Sequence, residues 1–301
     1  MDGILPLWKP KGMTSHDCVF KIRKMLKMKK VGHTGTLDPD VEGVLPICLG
    51  RATKIAEYIT DAGKEYEGEV TLGYSTTTED ASGDIVETKK IERCISIDEI
   101  KTVLQSFKGI IKQTPPMFSA VKVKGKRLYE YARAGITIER PLRNVHIYEI
   151  NLLDELIKEN DGNVSFRFHV HCSKGTYIRT LAVMIGEKLG YPAHMSSLTR
   201  TASASITASD CVTFEQLEEL IQSGDIIHNI YPLEKGISDL SFFPIDSNLV
   251  IKIKNGAVLP KPKNWPDGQV VMAFDGNAFA IYQVHPDDET LIKPVKVLRN
   301  E

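Results

Sequence analysis

Sixteen residues in the first part of the chain combine the side chains of a reactive loop with residues that shape turns. Residues 31–46 read VGHTGTLDPDVEGVLP, with three glycines, two prolines, three carboxylates and one histidine. Glycine and proline mark turns, so the whole stretch is predicted to be a loop. A carboxylate that stays ionised can serve as nucleophile, general base or electrostatic stabiliser. The residue types favour Asp38 only slightly over Asp40 and Glu42, because the proline after Asp38 restricts it to extended backbone geometry.

An arginine beside such a carboxylate would keep it ionised, because a positive charge lowers the carboxyl pKa. Arg179 is the candidate, since it falls in the first turn of a predicted helix at the mouth of the cleanest predicted strand, Val164–Cys172. Junctions of this kind often border functional sites, although a surface arginine is the commoner outcome. The pairing of a loop aspartate with Arg179 is therefore a hypothesis that the fold has to support.

Other chemistries fit the residues less well. His169 and His171 would share one face of the predicted strand, while Cys172 would point to the other face with the apolar side chains, so the three do not form a metal site. The chain has no CxxC or HxxxH pair, no phosphate-binding glycine loop and no dinucleotide fingerprint after a strand. The sequence therefore predicts no metal and no cofactor.

The overall composition is that of an ordinary globular protein. The chain has 301 residues, 42% apolar and 26% charged, a length that indicates more than one domain. No apolar run approaches the ~18–20 residues of a membrane helix, and the N-terminus lacks the pattern of a signal peptide. Five cysteines are scattered and odd in number, as is typical of reduced thiols. These features predict a cytoplasmic protein with no membrane contact.

The charges are unevenly distributed although their sum is only −1. Residues 101–150 carry ten Lys and Arg against three Asp and Glu, whereas residues 61–100 carry four against eleven. Two basic segments stand out, 21–30 and 122–143, and tyrosines are interleaved in the second. Basic clusters with aromatic side chains suit a polyanion that has stackable bases. Each segment alone is equally well explained as a solvated face.

The predicted elements indicate an α+β fold. Thr14 with Asp17 begins a helix in a capping-box pattern, and residues 66–72 and 164–172 alternate as strands. Further helices are predicted to begin after Ser96 and Thr213. Helices and antiparallel-looking strands mix without βαβ regularity. Beyond about residue 240, short predicted strands separated by turns indicate a small β-barrel; they cover 249–253, 270–274, 279–284 and 295–298.

Four motifs, in order and at consistent spacing over about residues 3–200, resemble those of the bacterial tRNA pseudouridine-55 synthases, the TruB family. The first motif is GILPLWKPKGMTS from Gly3, and the second is GHTGTLDP from Gly32, followed by GVLP. The third combines KEY, LG and a T-x-T-x-D-x-x-G pattern between Lys64 and Gly83, and the fourth is CSKGTYIRT from Cys172. Any one motif alone would be weak, whereas the set is highly specific. Segments near Asn255, Phe274 and Lys293 resemble, more loosely, the small RNA-binding PUA domain that such enzymes often carry.

The resemblance implies a fold and a division of the chain. It implies the pseudouridine synthase fold, a mixed, largely antiparallel sheet flanked by helices. The catalytic domain would cover residues 1–240, with an RNA-gripping insertion at about 112–143. A PUA-like β-barrel would cover residues 241–301.

The resemblance also implies roles for individual residues. Asp38 corresponds to the essential aspartate of the family, and Arg179 would pair with Asp38 and Asp80 in a charge network. Tyr66 would pack on the flipped uracil and help to move its C5 proton, although plain core packing is an open alternative for it. The other implied substrate contacts are His33, which would fill the space vacated by the base, Tyr177 and Leu198 as apolar walls, and the basic residues Lys9, Lys122, Lys124, Lys126 and Arg127.

The implied reaction converts the T-loop uridine at tRNA position 55 to pseudouridine, without a cofactor, after the base has been flipped out. Attack of Asp38 on C1′, attack on C6 and removal of the C2′ proton are three routes that stay open. The expected partner is the tRNA T-arm, bound by a monomer without guide RNA. A catalytically silent RNA chaperone and a guide-RNA-dependent relative are alternatives, and the basic segment 122–143 argues against the second.

Overall fold

The computed structural model describes residues 1–154, 158–160 and 162–300. Its described α-helices are short, between 6 and 12 residues long. They are Ser15–Met25 (α1), Ala56–Asp61 (α2), Ile97–Gln105 (α3), Leu128–Arg133 (α4), Ile178–Leu189 (α5), Phe214–Ser223 (α6) and Ser247–Lys254 (α7). The capping box predicted at Thr14 is present, since the Thr14 side chain and the Asp17 side chain each bond to the other residue's backbone N–H.

The described strands fall into sheets and small hairpins. They are Gly3–Lys9 (β1), Val31–His33 (β2), Glu42–Leu49 (β3), Lys64–Leu72 (β4), Tyr74–Thr76 (β5), Ile85–Thr88 (β6), Gly109–Gln113 (β7), Lys122–Val123 (β8), Lys126–Arg127 (β9), Arg143–Leu152 (β10), Lys158–Asn160 (β11), Asn163–Cys172 (β12), Ala193–Ser203 (β13), Ile206–Thr207 (β14), Ser241–Pro244 (β15), Leu259–Pro260 (β16), Val270–Phe274 (β17), Asn277–His285 (β18) and Asp288–Val297 (β19).

The chain divides into two compact units, which are described separately. The first unit comprises Met1–Asp40, Val44–Thr60 and Ala204–Glu301, and the second comprises Val41–Gly43 and Asp61–Ser203. These two units do not meet at residue 240. The predicted boundary there, between a catalytic and an RNA-binding domain, stays a prediction.

A largely antiparallel sheet forms the second unit, with its strands in the order β13–β4–β12–β10–β7. Strand β12 alternates as predicted, with Val164, Phe166, Phe168, Val170 and Cys172 all buried. Residues 42–43 pair in parallel with residues 199–200 of β13, so the sheet is mixed. A side chain at Gly43 would lie 2.2 Å from the Arg200 carbonyl oxygen, so this approach requires glycine. The predicted mixed sheet flanked by helices is confirmed.

The first unit is built on the N-terminal strand and its neighbours. The apolar faces of α1 and α6 pack with β1 and the end of β3 in one cluster, which includes Leu5, Val19, Leu45 and Leu217. The prediction that residues 31–46 are entirely loop is wrong at both ends, because residues 31–33 pair with 47–49 and β3 begins at Glu42. Strand β3 contains a buried run of apolar residues from Val44 and pairs with β1 and β2. This pairing outweighs the local turn signals. Only residues 34–41 remain loop.

The C-terminal β-structure is a five-stranded sheet in the order β15–β17–β18–β19–β16. The strand predicted for residues 249–253 is wrong, because this segment lies in helix α7. Asp246 caps the helix by accepting a hydrogen bond from the Leu249 N–H at 2.9 Å. Leu249, Val250 and Ile253 then pack against the sheet with the helical spacing of three and four residues. Among the described residues, no helix is long and apolar enough to cross a membrane.

Two substitutions in α7 test whether residues 249–253 are helical. A strand would place residues 251 and 253 on one face, whereas the helix leaves Ile251 68% exposed and Ile253 fully buried. We expect Ile253→Ala to lower the free energy of unfolding by about 2–5 kcal/mol. The matched variant Ile251→Ala is expected to change it by less than about 0.5 kcal/mol. Urea unfolding measures both, and equal losses would contradict the helix.

Candidate active site

The loop that carries Asp38 is held on both sides of that residue. Before it, the Leu37 N–H donates to the Ser15 Oγ at 2.9 Å, and Ser15, at the start of α1, is buried. After it, the Pro39 carbonyl accepts from the Gly12 N–H at 2.8 Å. Gly12 has a φ of 83°, a left-handed conformation that favours glycine. The N-terminal motif therefore fixes the backbone on either side of the carboxylate.

Lys9 supports the same loop from within. Its side chain is fully buried, and its Nζ donates to the carbonyls of Pro10 at 2.9 Å and Pro39 at 3.1 Å. A buried ammonium is costly unless it is hydrogen-bonded, and these carbonyls supply partners. The resemblance implies that Lys9 binds substrate. Its two hydrogen bonds to Pro10 and Pro39 are made within the protein, and the RNA contact stays a prediction.

His33 and Thr34 close the base of the loop. His33 ends β2 opposite Ile47, and it is half-buried. The N–H and Oγ1 of Thr34 both donate to the Pro46 carbonyl, at 3.2 and 3.1 Å. Asp40 is exposed, whereas Asp38 is half-buried. The structure therefore distinguishes the two aspartates by burial, whereas the residue types alone favoured Asp38 only slightly.

In the second unit, Arg179 lies in the first turn of α5 as predicted, and only 6% of its surface is exposed. Its Nη1 donates to the Thr78 carbonyl at 3.1 Å, and its Nη2 donates to the Phe118 carbonyl at 2.9 Å. Because guanidinium donors are fixed in a planar fork, these two carbonyls determine its orientation. A buried, oriented guanidinium is suited to holding a negative charge.

Asp80 lies beside Arg179, as the resemblance implied. The Nη1 of Arg179 is 3.7 Å from Asp80 Oδ2. The other oxygen, Oδ1, accepts from Thr78 Oγ1 at 2.7 Å and from the N–H and Oγ of Ser82 at 3.0 and 2.6 Å. Since these donors hold Oδ1, Oδ2 faces the arginine. The turn thus presents a carboxylate and a carbonyl to one guanidinium.

Tyr66 and Leu198 lie on adjacent strands of the same sheet. Tyr66 is opposite Val170 of β12 and Arg200 of β13, and Leu198 is opposite Gly68. Both side chains are buried. A side chain at Gly68 would lie 2.8 Å from the Phe168 ring, so glycine leaves room there for the aromatic neighbour. This burial is compatible with core packing and with an apolar wall.

Tyr177 is positioned by a residue that the sequence did not single out. The buried Gln113 accepts from the Tyr177 N–H at 3.0 Å and donates to the Tyr177 carbonyl at 3.3 Å. Its side chain thereby fixes the backbone just before Arg179. A lone glutamine in a strand carries no sequence signal of such a role. The carbonyls of Thr78 and Phe118 were missed for the same reason, because every residue has one.

The basic insertion forms a small exposed hairpin. Strands β8 and β9 are joined by Lys124 and Gly125, both with positive φ, a geometry that fits a tight hairpin turn. The side chains of Lys122, Lys124, Lys126 and Arg127 are exposed. Arg127 also donates to the Tyr129 hydroxyl at 3.1 Å. The hairpin therefore presents a cluster of cations with an adjacent aromatic ring.

The residues considered above as metal ligands, His169, His171 and Cys172, belong to strand β12. In the part of the chain that the structure describes, no group of three or more His, Cys, Asp and Glu side chains could hold a metal ion. His169 instead lies 3.2 Å from Glu65 across the outer sheet face, and Cys172 is buried with the apolar residues.

Comparison with solved structures identifies the class of the fold. The chain is 29% identical to a chain from a Cbf5–Nop10–Gar1 complex, with a TM-score of 0.75, covering 99% of this chain and 85% of that one. It is 26% identical to a chain from an H/ACA RNP bound to a substrate RNA containing 2′-deoxyuridine, with a TM-score of 0.73, covering 99% and 85%. The architecture is that of pseudouridine synthases of the Cbf5/TruB type.

Family models and relatives narrow the class. Residues 23–178 match the N-terminal domain model of the TruB family of pseudouridylate synthases, and residues 179–238 match the C-terminal domain model of tRNA pseudouridylate synthase B. The chain belongs to the TruB family. It is 56% identical to tRNA pseudouridine synthase B of Listeria welshimeri, covering 99% of this chain and 98% of the relative. It is 55% identical to that of Bacillus cereus, covering 100% and 98%.

The clamp on the Asp38 loop makes a prediction about Ser15. Ser15→Ala leaves the buried Leu37 N–H without its acceptor, which is expected to cost about 1–3 kcal/mol of stability. If the loop positions a reacting carboxylate, turnover should also fall by about tenfold or more, because small misplacements are costly in catalysis. Thermal unfolding and single-turnover assays measure the two effects. Ser247→Ala, at an exposed position on α7, is the control, and equal behaviour of the two variants would contradict the clamp.

Proposed function

We propose that this protein is a tRNA pseudouridine synthase that isomerises the T-loop uridine at tRNA position 55. The observation that carries the proposal is the 56% identity, over 99% of the chain, to a relative named tRNA pseudouridine synthase B. The clamped loop with its half-buried aspartate, and the pair formed by buried Arg179 and half-buried Asp80, fit a reaction that needs fixed charges and no cofactor.

The reaction itself requires a carboxylate near the sugar. The uracil has to leave C1′, rotate and rejoin the sugar through C5, with loss of the C5 proton. Glycosidic-bond chemistry of this kind uses an ionised carboxylate, and Asp38 is proposed for this role. The target base has to be flipped out, because its glycosidic bond is out of reach inside a folded T-loop. Attack on C1′, attack on C6 and C2′ proton removal remain alternative routes for Asp38.

Other residues are proposed to serve the same reaction. Arg179 and Asp80 supply a charge network that keeps the reacting carboxylate ionised. Tyr66 packs on the flipped uracil and assists proton transfer at C5. Tyr177 and Leu198 provide apolar walls, and His33 fills the space left by the base. These roles are supported by the family motifs, and for Arg179 and Asp80 also by the 3.7 Å contact between their side chains.

The proposed partner is the tRNA T-arm alone. We propose that residues 112–143 grip its phosphates and that residues 241–301 form a PUA-like RNA-binding domain. Two of the structural neighbours come from complexes named for H/ACA particles, so a guide-RNA-dependent activity is the competing proposal. The higher identity to the tRNA enzymes and the exposed basic hairpin favour the stand-alone monomer. A cytoplasmic location is proposed from the tRNA substrate and from the cysteines, which are scattered and odd in number.

A direct test uses purified protein and an unmodified tRNA transcript, with no other RNA or protein. Pseudouridine at one T-loop position supports the proposal. Product only after a guide RNA is added would support the competing function. Improved tRNA folding without any pseudouridine would support a chaperone.

The choice of carboxylate is tested by a matched pair of substitutions in the loop. We expect Asp38→Asn to abolish pseudouridine formation while tRNA binding remains, because the amide cannot serve as nucleophile or base. Asp40→Asn, two residues away and exposed, is expected to keep turnover close to wild type. Turnover and filter-binding assays measure both. A comparable loss of turnover at Asp40 would show that the wrong aspartate has been chosen.

The role of the hairpin is tested by its salt dependence. Replacing Lys122, Lys124, Lys126 and Arg127 by Ala should weaken tRNA binding and reduce the slope of log K against log salt by ~0.7–0.9 per phosphate contact removed. The double variant Lys101→Ala/Lys108→Ala, at exposed positions on and beyond α3, should leave the slope unchanged. An unchanged slope in the hairpin variant would make the hairpin a solvated face.

A further inference from the structure

The turn that carries Asp80 contains a carboxylate with no role in the scheme above. Glu79 has a φ of 65°, in the left-handed region, although it is not glycine. A side chain in this region is unfavourable and persists only where the surroundings hold it. The backbone of Glu79 is bonded at both ends, since its N–H donates to the Thr76 carbonyl at 3.2 Å and its carbonyl accepts from the Met195 N–H at 3.0 Å.

The side chain of Glu79 reaches the helix that carries Arg179. Its Oε2 accepts from the Thr180 Oγ1 at 2.7 Å, and Thr180 is the residue after Arg179 in the first turn of α5. Its Oε1 lies 3.9 Å from the Nη1 of Arg140. The carboxylate thus joins the Asp80 turn to α5 and to a second arginine.

Both arginines also bond to the beginning of the basic insertion. Arg140 donates to the Pro115 carbonyl at 3.0 Å, and Arg179 donates to the Phe118 carbonyl at 2.9 Å. The turn supplies Glu79 to the first arginine and Asp80 to the second. Two guanidiniums therefore link the same two segments of chain, the turn and the insertion, through parallel sets of contacts.

We propose that Glu79 is a positioning residue for Arg179. Its carboxylate holds the turn that presents the Thr78 carbonyl and Asp80 to the guanidinium, and through Arg140 it ties that turn to the insertion. A shift of the insertion is thereby transmitted to the orientation of Arg179. The inference rests on the proposed function, because its consequence is a change in the rate of pseudouridine formation.

The cost of keeping this carboxylate supports a functional reason for it. Burial raises the pKa of Glu79, and the bond from Thr180 and the charges of Arg179 and Arg140 offset this only in part. A raised carboxyl pKa means that the folded state disfavours the ionised form, so ionised Glu79 lowers stability at neutral pH. Glutamine removes that penalty and keeps an oxygen for Thr180. A substitution that spares stability but slows the reaction would therefore separate positioning from simple structural support.

The test compares Glu79→Gln, Arg140→Gln and the double variant, with Glu87→Gln as control. Glu87 lies on β6, beyond the same turn, and it is exposed. We expect Glu79→Gln to lower the single-turnover rate by about tenfold while the dissociation constant for tRNA stays within about twofold and Tm does not fall. Arg140→Gln should show a similar loss of rate. The double variant should be no slower than the slower of the two single variants, because both substitutions remove the same contact, between Glu79 and Arg140.

A second substitution separates the backbone from the side chain. Glu79→Gly makes the positive φ favourable but removes both side-chain contacts. We expect it to be at least as slow as Glu79→Gln, whereas wild-type speed would mean that only the backbone shape matters and would overturn the proposal. A wild-type rate for Glu79→Gln, additive losses in the double variant, or a Tm that falls in step with the rate would also overturn it. Absence of product from wild type and from Glu87→Gln would instead refute the proposed function.

Discussion

The guanidinium of Arg179 is a permanent positive charge that the fold removes almost completely from solvent. Such a charge is tolerated only where hydrogen-bond acceptors surround it, since an unpaired buried charge is among the costliest features a protein can have. Here the acceptors are the carbonyls of Thr78 and Phe118, with the Asp80 carboxylate beside them. The second unit therefore has to bring two separate chain segments, the turn at residues 78–80 and the segment at Phe118, to the helix that carries Arg179.

Several local features follow from that requirement. Strand β12 and the turn after it place Arg179 at the start of α5. Gln113 fixes the backbone of Tyr177, the residue before α5, and Glu79, which lies between Thr78 and Asp80, has an unfavourable φ of 65°. In the first unit, the Asp38 loop is shaped by a comparable principle, because backbone groups on both sides of the aspartate are bonded to the N-terminal motif. Arg179 is held by backbone carbonyls, whereas Asp80 is held by one backbone N–H and the hydroxyls of Thr78 and Ser82.

Local signals predicted the elements that have one dominant reason to form. The capping residues at Thr14 and the alternation from Val164 to Cys172 both act within a few residues. The strand prediction for residues 249–253 was wrong because a short apolar run fits either a strand or a helix. The Asp246 cap and the packing against the C-terminal sheet stabilise the helix. The strand pairs at the ends of the Asp38 loop join residues 31–33 to 47–49 and residues 42–43 to 199–200, and the turn signals within the loop specify neither pairing.

Some residues of the candidate site could be predicted from local sequence and others could not. Asp38, Asp80 and Arg179 were found through motifs, because charged side chains at fixed spacing leave a mark in the sequence. Gln113 and Glu79 were not, since their importance comes only from what lies next to them in space. The Thr78 and Phe118 carbonyls belong to the backbone and leave no mark at all. Lys9 was recognised by its motif, but its fully buried position was visible only in the fold.

The most direct measurement of the central claim is made on Arg179→Lys, with the single-turnover rate and the tRNA dissociation constant determined in parallel. Lysine keeps the charge but lacks the planar fork that bonds two carbonyls and faces Asp80 together. We expect Arg179→Lys to lower the rate of pseudouridine formation far more than the affinity for tRNA, because phosphate contacts elsewhere supply most of the binding. Near-normal catalysis with weakened binding would contradict it and would make Arg179 a phosphate contact.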